Sequence, residues 1–269
     1  MILYEDARSA DLPALTSLWQ TCFGDSKESI QEFWSCLFPH IRVCVAREGK
    51  KICAMCCILP VSLVDDCGET YQAAYLYALG TAPAMRKRGL GSSLLEYANK
   101  SLRREGIPFS LLVPSEPSLF TFYEKLGYRT AFYQKEDTIP AGERQAQVTP
   151  MNADSYSNLR QLMLYGSFVS YSTELLNYQL QLGKGSKAGL FRIELDHCLC
   201  CAAAEKRGDT LLIKELLPSE PEAAAALAHQ LGCQQAVMRS EGTDHPFGMI
   251  KALGEVPPPE NAYLGLAFD

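Results

Sequence analysis

The chain has 269 residues, 47% apolar and 21% charged, with 19 Gly and 15 Pro. Against about 150 residues per domain this makes one large domain or two modest ones, and it excludes disordered, collagenous and coiled-coil chains. Its 25 basic and 31 acidic side chains give a net charge of −6, unevenly spread: residues 1–140 carry 15 basic and 16 acidic groups, residues 141–269 carry 10 and 15. No basic stripe is offered to a nucleic-acid backbone, and the acidity suits a cationic small partner better than DNA or anionic lipid. The longest apolar stretch, Cys53 to Val64, is interrupted by Pro60 and Ser62 and falls short of the roughly 18 residues of a membrane span. Met1 to Asp6 turn acidic without a basic lead-in, so no signal peptide is expected.

Ile2 to Ser9 predicts a short strand, and the spacing of Leu12, Leu15, Leu18, Trp19 and Cys22 behind Asp11 predicts a capped helix. Gly24 ends it, and Ser26 opens a second helix through Ile30, Phe33, Trp34 and Leu37. Strands Ile41–Arg47 and Lys51–Val64 follow around the turn Glu48-Gly49-Lys50, then a strand Tyr71–Thr81. A helix from Gly89 to about Arg104, a buried strand Phe109–Val113, a helix Pro117–Leu126 and a last strand Tyr128–Glu136 complete the first half. Thr138 to Thr149, with Pro140 and Gly142, reads as a linker. The plan then repeats. Strand Gln145–Val148, helices Asp154–Tyr165 and Thr173–Leu182, and strands Leu190–Leu195, His197–Ala204 and Thr210–Leu217 lead to an Ala-rich helix Glu222–Leu231 and strands Gln235–Met238 and Ala262–Phe268. The matching order, with a Cys-rich third strand in each half, predicts an internal duplication with domains at 1–139 and 144–269. The expected class is α/β with mixed α+β sheets, each domain a mixed sheet flanked by helices.

Eleven cysteines are an odd count at spacings that suit no disulfide framework. They cluster as Cys53, Cys56, Cys57 and as Cys198, Cys200, Cys201. Adjacent residues on a strand point to opposite faces, so neither cluster is expected to converge on a metal, and the thiols read as small hydrophobes. Reduced thiols imply a cytoplasmic compartment.

The informative stretch runs from Tyr75 to Ser92, a strand that enters the basic turn Arg86-Lys87-Arg88-Gly89-Leu90-Gly91 and opens a helix. Amide donors at a helix N-terminus, a favourable dipole and glycines that admit close approach make an anion cradle. The dinucleotide fingerprint would need a glycine where Leu94 stands, and the Walker loop's Gly-Lys-Ser/Thr is absent.

This strand–Pro–Arg-x-x-Gly-x-Gly–helix unit resembles the acetyl-CoA pyrophosphate loop of the GNAT N-acetyltransferase superfamily, and Phe122-Tyr123-Glu124-Lys125-Leu126-Gly127-Tyr128 resembles that superfamily's tyrosine helix end. The duplicated layout and the wording around residues 75–128 are similar to Eis-type acetyltransferases, which carry two GNAT-like domains. The resemblance implies that Leu79, Gly80 and Thr81 form the strand edge for the pantetheine arm. Arg86, Lys87, Arg88, Gly89, Leu90, Gly91 and Ser92 would hold the pyrophosphate. Ser118 and Leu119 would line the pantetheine side of the tyrosine helix, and Tyr123 would be the general acid beside the departing sulfur. The implied cosubstrate is acetyl-CoA, with no metal, and the implied acceptor is a small-molecule or peptide primary amine that attacks the thioester directly in a ternary complex. A thiol of pKa about 8.5 is a fair leaving group that a phenol near 10 can protonate.

The general base is open between Glu116, the chain-terminal carboxylate of Asp269 and water, because this strand carries Tyr75 and Tyr77 in place of a glutamate. In the second half, Pro218-Ser219-Glu220-Pro221-Glu222 replaces the basic loop, and two carboxylates there would repel a pyrophosphate. Only the first half is therefore expected to bind acetyl-CoA. The alternative function is a non-catalytic acyl-CoA-binding or sensing protein, since a cradle alone does not make an enzyme.

Overall fold

Capping chemistry and β-branched or aromatic runs set the element ends of the protein, described in a computed structural model over residues 1–183, 189–243 and 245–268. In chain order these are β1 (Ile2–Asp6), α1 (Leu12–Phe23), α2 (Lys27–Leu37), β2 (Arg42–Glu48), β3 (Lys51–Val64), β4 (Thr70–Thr81), α3 (Leu90–Arg104), β5 (Phe109–Leu112) and α4 (Ser118–Glu124). Then come β6 (Arg129–Pro140), β7 (Ala146–Pro150), α5 (Ala153–Met163), β8 (Phe168–Tyr171), α6 (Thr173–Gly183), β9 (Gly189–Leu195), β10 (Leu199–Arg207), β11 (Thr210–Leu217), α7 (Pro221–Gln230), β12 (Gln235–Glu241) and β13 (His245–Ala252). Ser26 caps α2 by accepting the Ser29 N–H at 3.1 Å, as its type predicts. Asp11, expected to cap α1, does not; its carboxylate turns back to the Arg8 N–H (2.9 Å) and to Arg47 (3.0 Å), where ion pairing outcompetes capping.

Two compact units result, and a single boundary near residue 140 does not describe them. The first comprises 1–63, 70–130 and 248–259; the second comprises 64–69, 131–247 and 260–269. In the first unit the strand order is β1-β2-β3-β4-β5-β13, with β5 parallel to β4 and antiparallel to β13. In the second it is β7-β9-β10-β11-β12-β6, with β12 parallel to β11 and antiparallel to β6. The two mixed sheets thus share one layout, as the duplication predicts. The expected linker is largely strand instead: β6 runs to Pro140, which pairs with Gln235, and β7 begins at Ala146. From Ala131 onward the strand assigned to the first half pairs inside the second unit, and β13, from near the end of the chain, completes the first. Pro246 and Gly248 hide β13 in the sequence, yet its pairing with β5 uses only Met249–Ala252, beyond both breakers. The short strand β8 also escapes the pattern, and Ala262–Phe268, expected as a strand, is buried chain whose one bridge joins Tyr263 to Phe168.

Each unit buries its own core. In the first, Leu90, Leu94, Leu95, Ala98 and Leu102 of α3 pack on Cys44, Ala46, Cys53, Ala54 and Cys56. In the second, Ala223, Ala224, Leu227 and Ala228 of α7 pack on Cys200, Ala202 and Ala204 of β10, where small residues on both faces admit a close approach. Alternate residues of a strand share a face, so Cys200 joins Cys198 with their sulfurs 3.7 Å apart, while Cys201 turns to Met163 Sδ at 3.8 Å. Two of the three thiols meet and the third points away, so the three do not converge on one point.

A buried ion pair fixes the second unit. Glu215 of β11, without exposed area, accepts from Tyr156 Oη (2.5 Å) and from Arg160 Nε (2.8 Å) and Nη2 (3.0 Å). Gly265, at φ +64°, passes so close that a Cβ would overlap Glu215 Oε2. Removing one partner strands a charge in apolar surroundings. Glu215→Ala should lower the unfolding free energy by about 3–5 kcal/mol, read as a lower urea midpoint; an unshifted midpoint would remove this pair from the stability of the unit.

Candidate active site

The geometry begins where β4 and β5 part. Their parallel register covers only Ala73–Tyr75 against Phe109–Leu111; β5 ends at Leu112, while β4 continues to Thr81. Ala78 sits at φ +50°, a left-handed conformation costing about 1–2 kcal/mol for an L-residue, and so kinks the free-running part of β4. Gly80 is dictated by packing: a Cβ there would lie 3.1 Å from both Cys22 Sγ and the Phe23 ring at the end of α1. Leu79 and Thr81 flank it, half-buried. Tyr75 and Tyr77, where a carboxylate base is missing, are aromatic packing instead: Tyr77 lies 5.8 Å from Trp19 and 5.7 Å from Phe33, centroid to centroid.

Beyond Thr81 the chain turns sharply into α3. The Ala82 N–H donates to Cys53 O at 2.9 Å, a 3-10 turn spans Pro83–Met85, and the Arg86 Nε donates to Thr81 O at 3.2 Å. Arg88 Nη1 rests on Met85 Sδ at 3.1 Å. Lys87 at φ +62° and Gly89 at φ +74° bend the backbone so that α3 starts abruptly at Leu90, and no side chain caps it. The first amide to find a helical partner is Ser93, donating to Gly89 O at 3.0 Å. The N–H groups of Leu90, Gly91 and Ser92 have no acceptor among the described residues, and they face the positive end of a fifteen-residue helix. A Cβ at Gly91 would make an ordinary van der Waals contact with Thr81 Oγ1, at 3.4 Å. Arg86, Lys87, Arg88 and Gly89 are exposed, so the predicted cradle residues do come together as a basic, donor-rich turn.

On α4, Tyr123 is 8% exposed, in edge contact with Phe122 (5.0 Å) and Tyr128 (5.9 Å). No described residue hydrogen-bonds its hydroxyl, and burial, followed by nearby Cys56, holds the phenol well above its ordinary pKa. Glu116 is exposed and accepts from Ser118 Oγ at 2.9 Å, which gives it a local role at the start of α4. Leu119 packs against the core cluster and Ser118 is exposed. Asp269 lies outside the described residues.

Two features went unread in the sequence. The kink at Ala78 leaves no residue-type signal, because alanine carries no preference for positive φ. The other is a polar clasp: the buried Tyr128 hydroxyl meets Asn99 Nδ2 (3.0 Å), Asn99 Oδ1 (3.2 Å) and Ser110 Oγ (2.8 Å), tying the end of the α4 motif to α3 and β5. Asn99 on the otherwise apolar face of Leu94, Leu95, Ala98 and Leu102 was the readable signal.

A mixed sheet that opens ahead of an uncapped, basic helix start is the arrangement that the resemblance to GNAT domains implies for the first unit. Residues 4–131 of the chain match the family model of the acetyltransferase (GNAT) domain. Solved structures resemble it more widely. A GCN5-related N-acetyltransferase from Anabaena variabilis ATCC 29413 aligns at TM-score 0.70 and 17% identity over 94% of this chain and 73% of its own. One from Kribbella flavida aligns at 0.69 and 16%, over 94% and 72%. Eis1 from Mycobacterium abscessus aligns at 0.68 and 11%, over 94% and 74%. At these identities the likeness is one of fold, and it extends through both units. No curated protein matches the chain in sequence. Among the described residues no helix is long and apolar enough to cross a membrane.

The clasp sets a stability test. Tyr128→Phe deletes the shared hydroxyl and leaves Asn99 and Ser110 buried without it, so the unfolding free energy should fall by about 1–3 kcal/mol. Denaturant titration checks this, and an unchanged midpoint would mean that the clasp does not hold the site.

Proposed function

We propose that the chain is an acetyl-CoA-dependent N-acetyltransferase that moves an acetyl group to a primary amine, on a small molecule or a peptide, by direct attack in a ternary complex. The observation that carries this reading is the uncapped start of α3: three unpartnered amides behind an exposed Arg-Lys-Arg turn, set beyond the divergence of β4 from β5. In this reading the amides of Leu90, Gly91 and Ser92, with Arg86, Lys87, Arg88 and the Gly89 bend, bind the pyrophosphate of the cosubstrate. Leu79, Gly80 and Thr81 offer the strand edge to its pantetheine arm, and Ser118 and Leu119 line the opposite side.

The chemistry then asks little of the chain. As the amine attacks the thioester carbonyl, a C–N bond forms and the C–S bond breaks; holding both reactants in line supplies much of the acceleration. Tyr123 shares its proton with the departing sulfur through a hydrogen bond; burial raises the phenol and so weakens it as an acid, which favours sharing over full transfer. Glu116 is engaged by Ser118, so the proton lost from the amine is assigned to water. The second unit takes no cosubstrate in this reading, because the carboxylate of Glu220 already caps α7 through the Glu222 N–H (3.4 Å). Its role, and any metal requirement of catalysis, play no part in the reaction proposed. The eleven free thiols support a reducing, cytoplasmic location.

Acetyl-CoA with a panel of amines should release free thiol at one acetyl-CoA site per chain. Calorimetric binding without turnover on any amine would instead favour the non-catalytic, sensing reading. Gly91→Glu places a carboxylate in the cradle and should abolish acetyl-CoA binding; unchanged affinity in a folded variant would sink the assignment. Tyr123→Phe should lower turnover by about 10²–10⁴-fold with little change in acetyl-CoA affinity. Because the Tyr123 phenol is raised above its usual value of about 10, it stays protonated through that pH. The wild-type rate should therefore show no loss there that disappears in Tyr123→Phe.

A further inference from the structure

Outside the GNAT site, the second unit gathers four side chains of metal-ligand type from two elements. His197 and Cys198 lie in the turn between β9 and β10, Cys200 is two residues further on the same face of β10, and Glu220 stands at the start of α7. We propose that His197, Cys198 and Glu220, whose ligand atoms converge, hold a divalent ion of the zinc class, and that Cys200, which meets this group only through Cys198, turns its thiol in as the fourth ligand of a tetrahedral site.

The distances carry the argument. Two thiolates each about 2.3 Å from one tetrahedral ion lie about 3.8 Å apart; Cys198 Sγ and Cys200 Sγ are 3.7 Å apart. His197 Nε2 and Glu220 Oε2 are 3.7 Å apart, and the ligand atoms of His197, Cys198 and Glu220 all fall within 4.8 Å of one another. The donor set of two sulfurs, one nitrogen and one oxygen suits zinc and excludes magnesium and calcium, which demand oxygen ligands. Glu220 divides its work, with Oε1 towards the Glu222 N–H and Oε2 towards His197, so it can bind an ion without uncapping the helix. The turn itself is closed by the Leu195 N–H on Cys198 O at 2.9 Å, which fixes the backbone that aims Cys198. His197, the exposed member, has room to adjust its ring. Bound there, the ion would staple the β9–β10 turn to the start of α7. This inference is independent of acetyl transfer.

Cobalt(II) reads the site directly. Reduced, chelator-treated protein should take up one cobalt per chain with the intense visible bands of a tetrahedral ion and a thiolate-to-cobalt charge-transfer band. Zinc should displace the cobalt and raise the unfolding temperature. Cys198→Ser and Cys200→Ser should each weaken the charge-transfer band, and the double variant should lose it. His197→Ala, a change at an exposed position that leaves folding intact, should weaken binding, and so should Glu220→Gln. Cys67→Ser, at an exposed thiol elsewhere, should change nothing. The proposal is overturned by the absence of the charge-transfer band in folded wild-type protein, by an undiminished band in Cys198→Ser or in the Cys198→Ser/Cys200→Ser double variant, or by its loss in Cys67→Ser. Two missing thiols per chain under reducing conditions, signifying a Cys198–Cys200 disulfide in place of a metal, would overturn it as well.

Discussion

Three residue pairs hold β4 against β5, Ala73–Tyr75 with Phe109–Leu111, and the shortness of that contact shapes everything around it. A parallel ladder this brief leaves the last six residues of β4 without a partner on that side, so the sheet opens where α3 begins. The kink at Ala78 and the bare backbone of Gly80 follow the same constraint. One bends the free strand, and the other lets it lie against Cys22 and Phe23. β5 stays in place because β13 pairs along its other edge and Tyr128 ties it to α3 through Asn99 and Ser110. An opening in a sheet is stable only when its walls are fixed by contacts that do not cross it, and here the walls are held from behind.

The second unit repeats the layout and reverses the electrostatics. β11 and β12 pair in parallel over Thr210–Ile213 and then part, as β4 and β5 do. Counted from the last paired residue, Glu215 takes the place of Tyr77, and its charge is consumed by Arg160 and Tyr156 in a sealed interior. At the helix start Glu220 stands where the first unit has Gly89 and exposed cations. The same scaffold therefore offers anion donors in one copy and a self-satisfied cap in the other.

Much of this was legible in the chain. Amphipathic spacing marked α1, α2, α3, α5 and α6, and apolar patterning marked the strands of both halves apart from β8 and β13, because burial of one face imposes those periods wherever a helix or sheet covers a core. The Arg86–Ser92 turn could be read because anion binding by backbone requires glycine at specific places, and those leave a spelling. Asp11 misled because its competing partner, Arg47, is 36 residues away and no local rule weighs the two. The linker misled because Pro140 and Gly142 look like breakers unless the strand they belong to is known to end there.

What the sequence by itself determined is the set of local structures and the chemistry of one turn: elements, their order, the duplication and the basic cradle, all encoded within windows of about 20 residues. Tertiary structure alone decided which strand completes which sheet, how far β4 and β5 stay together, and that His197, Cys198 and Glu220 meet. Those outcomes depend on pairings between residues far apart in the chain, such as Met249 with Leu112 or Gln235 with Pro140. A periodic pattern says which face of a strand is buried but carries no record of the neighbour that buries it.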